Sequence, residues 1–221
     1  MPIKAVIFDL DETLIHSNIN FRKMKERVIS FLEERGVSKG LLGLNMLNVE
    51  ITSKAIEDLK RKGLPDAKIK VILRKVNEIM NETELESLSG ARPVEGAAET
   101  LRALKERGVK VGVMTRSCRE YAERALSKFG LKRYVDAVSA RDDVEKPKPN
   151  PQHADHILKL LKADAESSVL VGDHWLDGVC ARRAGLRFIL VSRRKMNLSV
   201  LDGFNFKVIR NIKELLEKIE E

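Results

Sequence analysis

Six residues in four short stretches have the types and spacing to act on a charged substrate. They are Asp9 and Asp11 in FDLDETL at 8–14, Thr115 in VMTRS at 113–117, Lys148 in KPNP at 148–151, and Asp173 and Asp177 in VGDHWLD at 171–177. Asp9 and Asp11 are two positions apart, so in an extended segment their side chains share one face, and Thr13 follows at the same interval. Two carboxylates held together can divide labour, one staying ionised while the other holds or exchanges a proton. Thr115 adds a hydroxyl and Lys148 a fixed cation. Carboxylates, one lysine and one hydroxyl suit phosphoryl transfer. Magnesium prefers carboxylate oxygens, and a metal with a lysine neutralises phosphoryl oxygens in the transition state. A carboxylate can also accept the phosphoryl group covalently and split one displacement into two.

Other reactive residue types are read structurally. His153 and His156 sit three apart on a helical pattern but lack a third ligand nearby. Cys118 and Cys180 form no CxxC pair and are expected to be reduced thiols. Trp175 is read as packing or as a rim residue. His16 either faces a substrate or sits at a surface hinge. Arg193, Arg194 and Lys195 either turn to solvent or attract an anion.

The elements that position these residues follow from hydrophobic pattern. Apolar runs at 3–8, 110–114, 169–171 and 188–191, with a weaker one at 134–138, each end at or just before a polar residue. Continuous runs of this length fit strands covered on both faces. Helical patterns at 96–107, 119–129, 151–162 and 177–184 alternate with them, three of them closed by Gly108, Gly130 and Gly185. This alternation predicts a parallel α/β sheet with right-handed crossovers, which binds ligands at the C-terminal edge of its strands. Residues 16–92 break the alternation. Phe21, Met24, Val28, Phe31 and Leu32 form one helical stripe, and Ile69, Ile72, Val76, Ile79 and Met80 another, with no credible strand among them. The expected organisation is a sheet domain of 1–15 and 93–221 interrupted by a helical insertion at 16–92. A final helix is expected at 211–221.

Composition narrows the class of function. The chain of 221 residues carries 41 Lys+Arg against 33 Asp+Glu, a net charge of +8. The excess is spread evenly, +4 in 16–92 and +4 in the remainder, with only ten Phe, Tyr and Trp in all. Nucleic-acid binding is therefore not favoured, because no basic block interleaves with aromatics; a small phosphorylated metabolite is the better outlet for positive charge. No apolar run approaches the roughly 20 residues of a membrane span. The N-terminal stretch lacks a signal-peptide layout, since Asp9, Asp11 and Glu12 follow its short apolar run. A cytoplasmic protein with no membrane partner is expected. The sequence does not indicate its oligomeric state.

The four motifs, in this order and each after a strand, resemble those of the haloacid dehalogenase superfamily. TRSCREYAERAL followed by ARDDVEKPKPNP is most similar to its phosphoglycolate-phosphatase-like branch, and the helical insertion resembles that branch's cap. The resemblance implies a Rossmann-like parallel sheet core with a small helical cap inserted after the first strand. It implies Asp9 as nucleophile and Asp11 as general acid and then base. Thr115, the Arg116 amide and Lys148 would hold the phosphoryl group. Magnesium would be held by Asp9, the Asp11 carbonyl and Asp173, with Asp177 acting directly or through water. Lys148 is preferred to Lys146 because it lies 25 residues before Asp173 and five after Asp143. Glu12 stands where the family often has glycine and is expected to affect the turn more than the chemistry. The dehalogenase branch lacks an acid at the second position, so Asp11 argues for phosphate ester chemistry. The implied activity is that of a magnesium-dependent phosphoric monoester hydrolase working through an aspartyl-phosphate. A phosphomutase and a catalytically silent binding protein on the same fold are the alternatives.

Overall fold

A computed structural model describes residues 2–192 and 196–219. Arg193, Arg194 and Lys195 lie outside the described residues. The elements in chain order are β1 (Ala5–Phe8), β2 (Ile15–His16), α1 (Phe21–Glu34), α2 (Asn48–Arg61), α3 (Asp66–Ser87), β3 (Arg92–Pro93), α4 (Ala97–Glu106), β4 (Lys110–Met114), α5 (Arg119–Lys128), β5 (Ala137–Ser139), α6 (Pro151–Leu161), β6 (Ser168–Gly172), α7 (Trp175–Arg183), β7 (Arg187–Val191), β8 (Lys207–Ile209) and α8 (Leu215–Lys218). The chain divides into two compact units, Met1–Ser17 with Gly90–Glu221, and Asn18–Ser89.

The first unit is built on a six-stranded sheet of order β5-β4-β1-β6-β7-β8, every pair parallel. Apolar β-branched residues fill its central strands because both faces are covered. Ala5 and Ile7 of β1 join one core with Leu170, Phe188 and Leu190, closed by Ile157 and Leu161 of α6 and Val179 and Cys180 of α7. Val6 and Phe8 alternate to the opposite side and are equally buried. From β1 the chain order runs outward in both directions, so β1 marks a switch point where crossovers diverge and leave a crevice at the strand ends. In register, Phe8 pairs with Val113 on one side and Val171 on the other, which brings Asp9 level with the ends of β4 and β6.

Helix boundaries follow local chemistry. Asn150 caps α6 by accepting from the Gln152 amide at 3.0 Å, and Pro151 at the first helical position needs no donor. Gly108 and Gly130 end α4 and α5 with positive φ, where a side chain would be strained. Several boundaries differ from the sequence pattern. A two-stranded antiparallel ribbon pairs Ile15 with Pro93 and His16 with Arg92, straddling the two ends of the insertion expected at 16–92. The C-terminal helix is only the four-residue α8 after a 3-10 turn at Ile212–Glu214. β8 was not expected; it is a short edge strand with Lys207 and Val208 exposed and only Ile209 buried.

The second unit is three helices. Met24, Val28 and Leu32 of α1, Ile51, Ala55 and Leu59 of α2, and Ile69, Ile72, Val76, Ile79 and Met80 of α3 form its buried faces. Phe21 heads the α1 stripe yet is 50% exposed. Arg27 of α1 pairs with Glu82 of α3. Asp58 is buried, and Lys62 first, with the Ser38 amide and Arg61, holds its carboxyl well below the usual range against the cost of burial. No helix among the described residues is long and apolar enough to cross a membrane.

Candidate active site

Four of the sequence-expected residues converge at the carboxyl edge of the sheet. Asp9 follows β1 directly, and its amide donates to Val171 O at 2.8 Å, tying it to β6. Asp173 follows β6. Asp177 projects from the first turn of α7, where its Oδ2 accepts from the His174 amide at 3.2 Å. Lys148 arrives from the segment before α6, and its side chain is buried between the acids. Its Nζ donates to Asp9 Oδ1 at 2.7 Å and to Asp177 Oδ1 at 2.6 Å. Lys146 lies in a different setting, with its amide donating to Gln152 Oε1.

The electrostatics are those of acids in excess. Burial pushes Asp9 well above the carboxylate range; Lys148 opposes this, while Asp177, Asp173 and Asp11 add to it. Asp173 is pushed up to about 7, by burial first and then by Asp177. Lys148 is drawn down by burial, but Asp177 and Asp9 outweigh that and hold the ammonium above its usual range. Asp9, Asp173 and Asp177 offer carboxylate oxygens all within 4.8 Å of one another. Three acids against one lysine fit a hard divalent cation with oxygen ligands, and magnesium suits that donor set. The Asp11 carboxylate is not part of this cluster.

Asp11 turns instead toward the end of β4 and the start of α5. Its Oδ2 accepts from Ser117 Oγ at 2.7 Å and from Thr115 Oγ1 at 3.2 Å, and its Oδ1 accepts from Tyr121 OH at 3.0 Å. Thr115 Oγ1 also accepts from the Ser117 amide at 3.0 Å. The Arg116 carbonyl accepts from Arg141 Nη1 at 2.8 Å. Thr13 Oγ1 is buried with no hydrogen-bond partner among the described residues.

Several supporting residues carry little sequence signal. Glu12 adopts φ +59°, the region that favours glycine, and its carboxylate accepts from the Ser17 amide at 3.1 Å and lies 2.9 Å from His16 Nδ1. His153 is fully buried. Its Nδ1 accepts from the Lys148 amide at 3.1 Å, which places the proton on Nε2, 3.1 Å from the Ser139 carbonyl. Burial first, then Lys148, lowers its pKa to about 3, so the ring is neutral. It pins the Lys148 backbone to β5. His156 Nδ1 lies 2.7 Å from Ser139 Oγ, so both histidines of α6 meet the end of β5. Burial pushes the Cys180 thiol up to about 12, and its side chain packs in the core beside α6 and α7. Trp175 packs against the α6–α7 core.

The profile of one family, described as haloacid dehalogenase-like hydrolase, matches residues 6–191. The chain belongs to this family. As one of the haloacid dehalogenase-like hydrolases it is an enzyme that cleaves bonds with water. Curated relatives include pyrophosphatase PpaX of Halalkalibacterium halodurans, 32% identical over 195 residues, covering 86% of this chain and 84% of that protein. Pyrophosphatase PpaX of Bacillus cereus is 31% identical over 205 residues, covering 92% and 90%. Solved structures share the fold. CbbY from Rhodobacter sphaeroides in complex with phosphate superposes with a TM-score of 0.66 at 20% identity, over 99% of this chain and 100% of that one. A subfamily IA hydrolase from Geobacter sulfurreducens gives 0.61 at 21% identity, over 98% and 96%.

Proposed function

We propose that this hydrolase is a magnesium-dependent phosphatase that acts on a small phosphorylated compound through an aspartyl-phosphate on Asp9. The observation that carries the reading is Lys148 Nζ bridging Asp9 and Asp177 within a cluster of three carboxylates. One ammonium beside Asp9 both fixes the attacking oxygen and offers a positive charge to the incoming phosphoryl group.

Asp9 attacks phosphorus as the bond to the leaving oxygen breaks, and that oxygen takes its proton from Asp11. Water then attacks the aspartyl-phosphate and gives a proton to Asp11, and the bond between phosphorus and Asp9 breaks to release phosphate. Thr115, the Arg116 amide and Lys148 hold the phosphoryl oxygens. Asp9, the Asp11 carbonyl, Asp173 and Asp177 would hold magnesium, which neutralises charge on those oxygens when bound. The unit of 18–89 is assigned the role of a cap that selects the substrate. The pyrophosphatase names of the relatives extend the substrate class to phosphoric anhydrides, which present the same terminal phosphoryl group. A cytoplasmic location fits such a substrate.

The test is hydrolysis of a panel of phosphate esters and inorganic pyrophosphate with magnesium. Wild type is expected to release phosphate from at least one of them, and Asp9→Asn from none while keeping its circular dichroism spectrum. Undiminished turnover by Asp9→Asn overturns the reading.

A further inference from the structure

We propose that Tyr121, with Ser117, is a positioning residue that aims the Asp11 carboxylate during phosphoryl transfer. The inference rests on the reading of Asp11 as acid and base. Three hydroxyls converge on this carboxylate: Tyr121 on Oδ1 at 3.0 Å, and Ser117 and Thr115 on Oδ2 at 2.7 and 3.2 Å. They are not equivalent. A hydroxyl carries one proton, and Thr115 is also the residue assigned to a phosphoryl oxygen. It cannot donate to both at once. When a phosphoryl oxygen accepts the hydrogen bond from Thr115, that bond to Asp11 is surrendered, and Ser117 and Tyr121 remain to hold the carboxylate.

The two are suited to that task in different ways. Ser117 is buried and sits just before α5, two residues from Thr115, so it shares the turn that presents the phosphate-binding hydroxyl. Tyr121 lies within the first turns of α5 and is fully buried, so packing fixes its ring and leaves the hydroxyl one direction to point. A proton donor works only when it lies within hydrogen-bond reach of the leaving oxygen, and such reach is set by rigid supporting contacts. The arrival of substrate therefore exchanges one hydrogen bond on Asp11 and leaves two as its guide.

The role predicts a dependence on leaving group that a packing role does not share. p-Nitrophenyl phosphate releases a weakly basic oxygen that needs little protonation, whereas glycerol 2-phosphate releases an alkoxide that needs a proton from Asp11. The quantity to compare is kcat/KM, which covers the steps up to loss of the leaving group. Tyr121→Phe removes only the hydroxyl. It is expected to lower kcat/KM for glycerol 2-phosphate about tenfold more than for p-nitrophenyl phosphate, a part of the roughly 10²–10⁴-fold that general acids contribute. Ser117→Ala is expected to move the ratio in the same direction, and it carries the test if Tyr121→Phe does not fold. A ratio equal to wild type in the folded variants overturns the inference. If Asp9→Asn is inactive and the ratio is unchanged, only the role of Tyr121 falls. If Asp9→Asn keeps its activity, the phosphatase reading falls and this inference falls with it.

Discussion

A Cβ on Gly172 would collide with the carboxylate of Asp177. The acid cannot step aside cheaply, because Oδ1 accepts from Lys148 and Oδ2 from the His174 amide in a buried setting. The strand therefore ends in glycine so that α7 can bring its carboxylate against the backbone. Gly172→Ala is expected to cost about 1–3 kcal/mol in urea unfolding and to raise the magnesium concentration needed for half-maximal activity. An unchanged unfolding midpoint would contradict the close approach.

Lys148→Met keeps much of the side-chain length and removes the charge. Asp9 and Asp177 then face each other beside Asp173 with no cation between them. Removing one partner of a buried ion pair typically costs about 3–5 kcal/mol, and a loss of that order is expected at pH 7 together with loss of phosphatase activity. Millimolar magnesium is expected to restore part of the variant's thermal midpoint, since a ligand of the folded state stabilises it by mass action. A midpoint indifferent to magnesium would count against the acidic cluster as a cation site.

His153 links stability to pH with a definite sign. An unfolded histidine takes its proton near 6.5, whereas folded His153 does so only near 3. Between those values the unfolded chain binds the extra proton. The contribution of His153 is therefore complete above about pH 6.5 and declines as pH falls toward 3, by about 1.4 kcal/mol per unit. Other groups titrate in the same range, so the quantity to follow is the difference between wild type and His153→Leu. That difference in unfolding free energy is expected to shrink between pH 7 and pH 4.5. A constant difference would show that the ring is not held neutral by its burial.

Glu12 combines a strained backbone with useful hydrogen bonds. At φ +59° a side chain costs about 1–2 kcal/mol relative to glycine, while the carboxylate satisfies the Ser17 amide and meets His16. Glu12→Gly loses the bonds and relieves the strain, so its stability is expected to stay near wild type. Glu12→Ala loses the bonds and keeps the strain, and is expected to be about 1 kcal/mol less stable than Glu12→Gly. The reverse order in urea unfolding would contradict the left-handed turn.

The central strands are legible in sequence because both faces are covered, so β1, β4, β6 and β7 read as apolar runs that stop where the chemistry starts. The convergence of Asp9, Asp173 and Asp177 is legible for the same reason, since each lies at or shortly after a strand end, whereas Lys148 comes from the segment that leads into α6. Pairings between short segments distant in sequence are not legible. β2 and β3 are two residues each and exist only because Ile15–His16 meets Arg92–Pro93. β8 is an edge strand with one buried residue and no run to announce it. Tyr121 reads as an aromatic in a helix, and nothing local says that its hydroxyl meets Asp11. His153 reads as half of a histidine pair. Its role depends on the Lys148 amide, which a side-chain pattern does not show. Phe21 matches the helical period but sits at the helix start and stays exposed.

The ribbon of β2 and β3 makes the sheet unit's exit and re-entry neighbours in space. To the sheet, everything between them is a closed loop with its feet about 5 Å apart. The entropy of closing such a loop grows only with the logarithm of its length. Segments of different size or sequence can therefore be carried between Ser17 and Gly90 without disturbing Asp9, Lys148 or Asp177. The inserted segment is an exchangeable part, and the sheet unit is a fixed host for it.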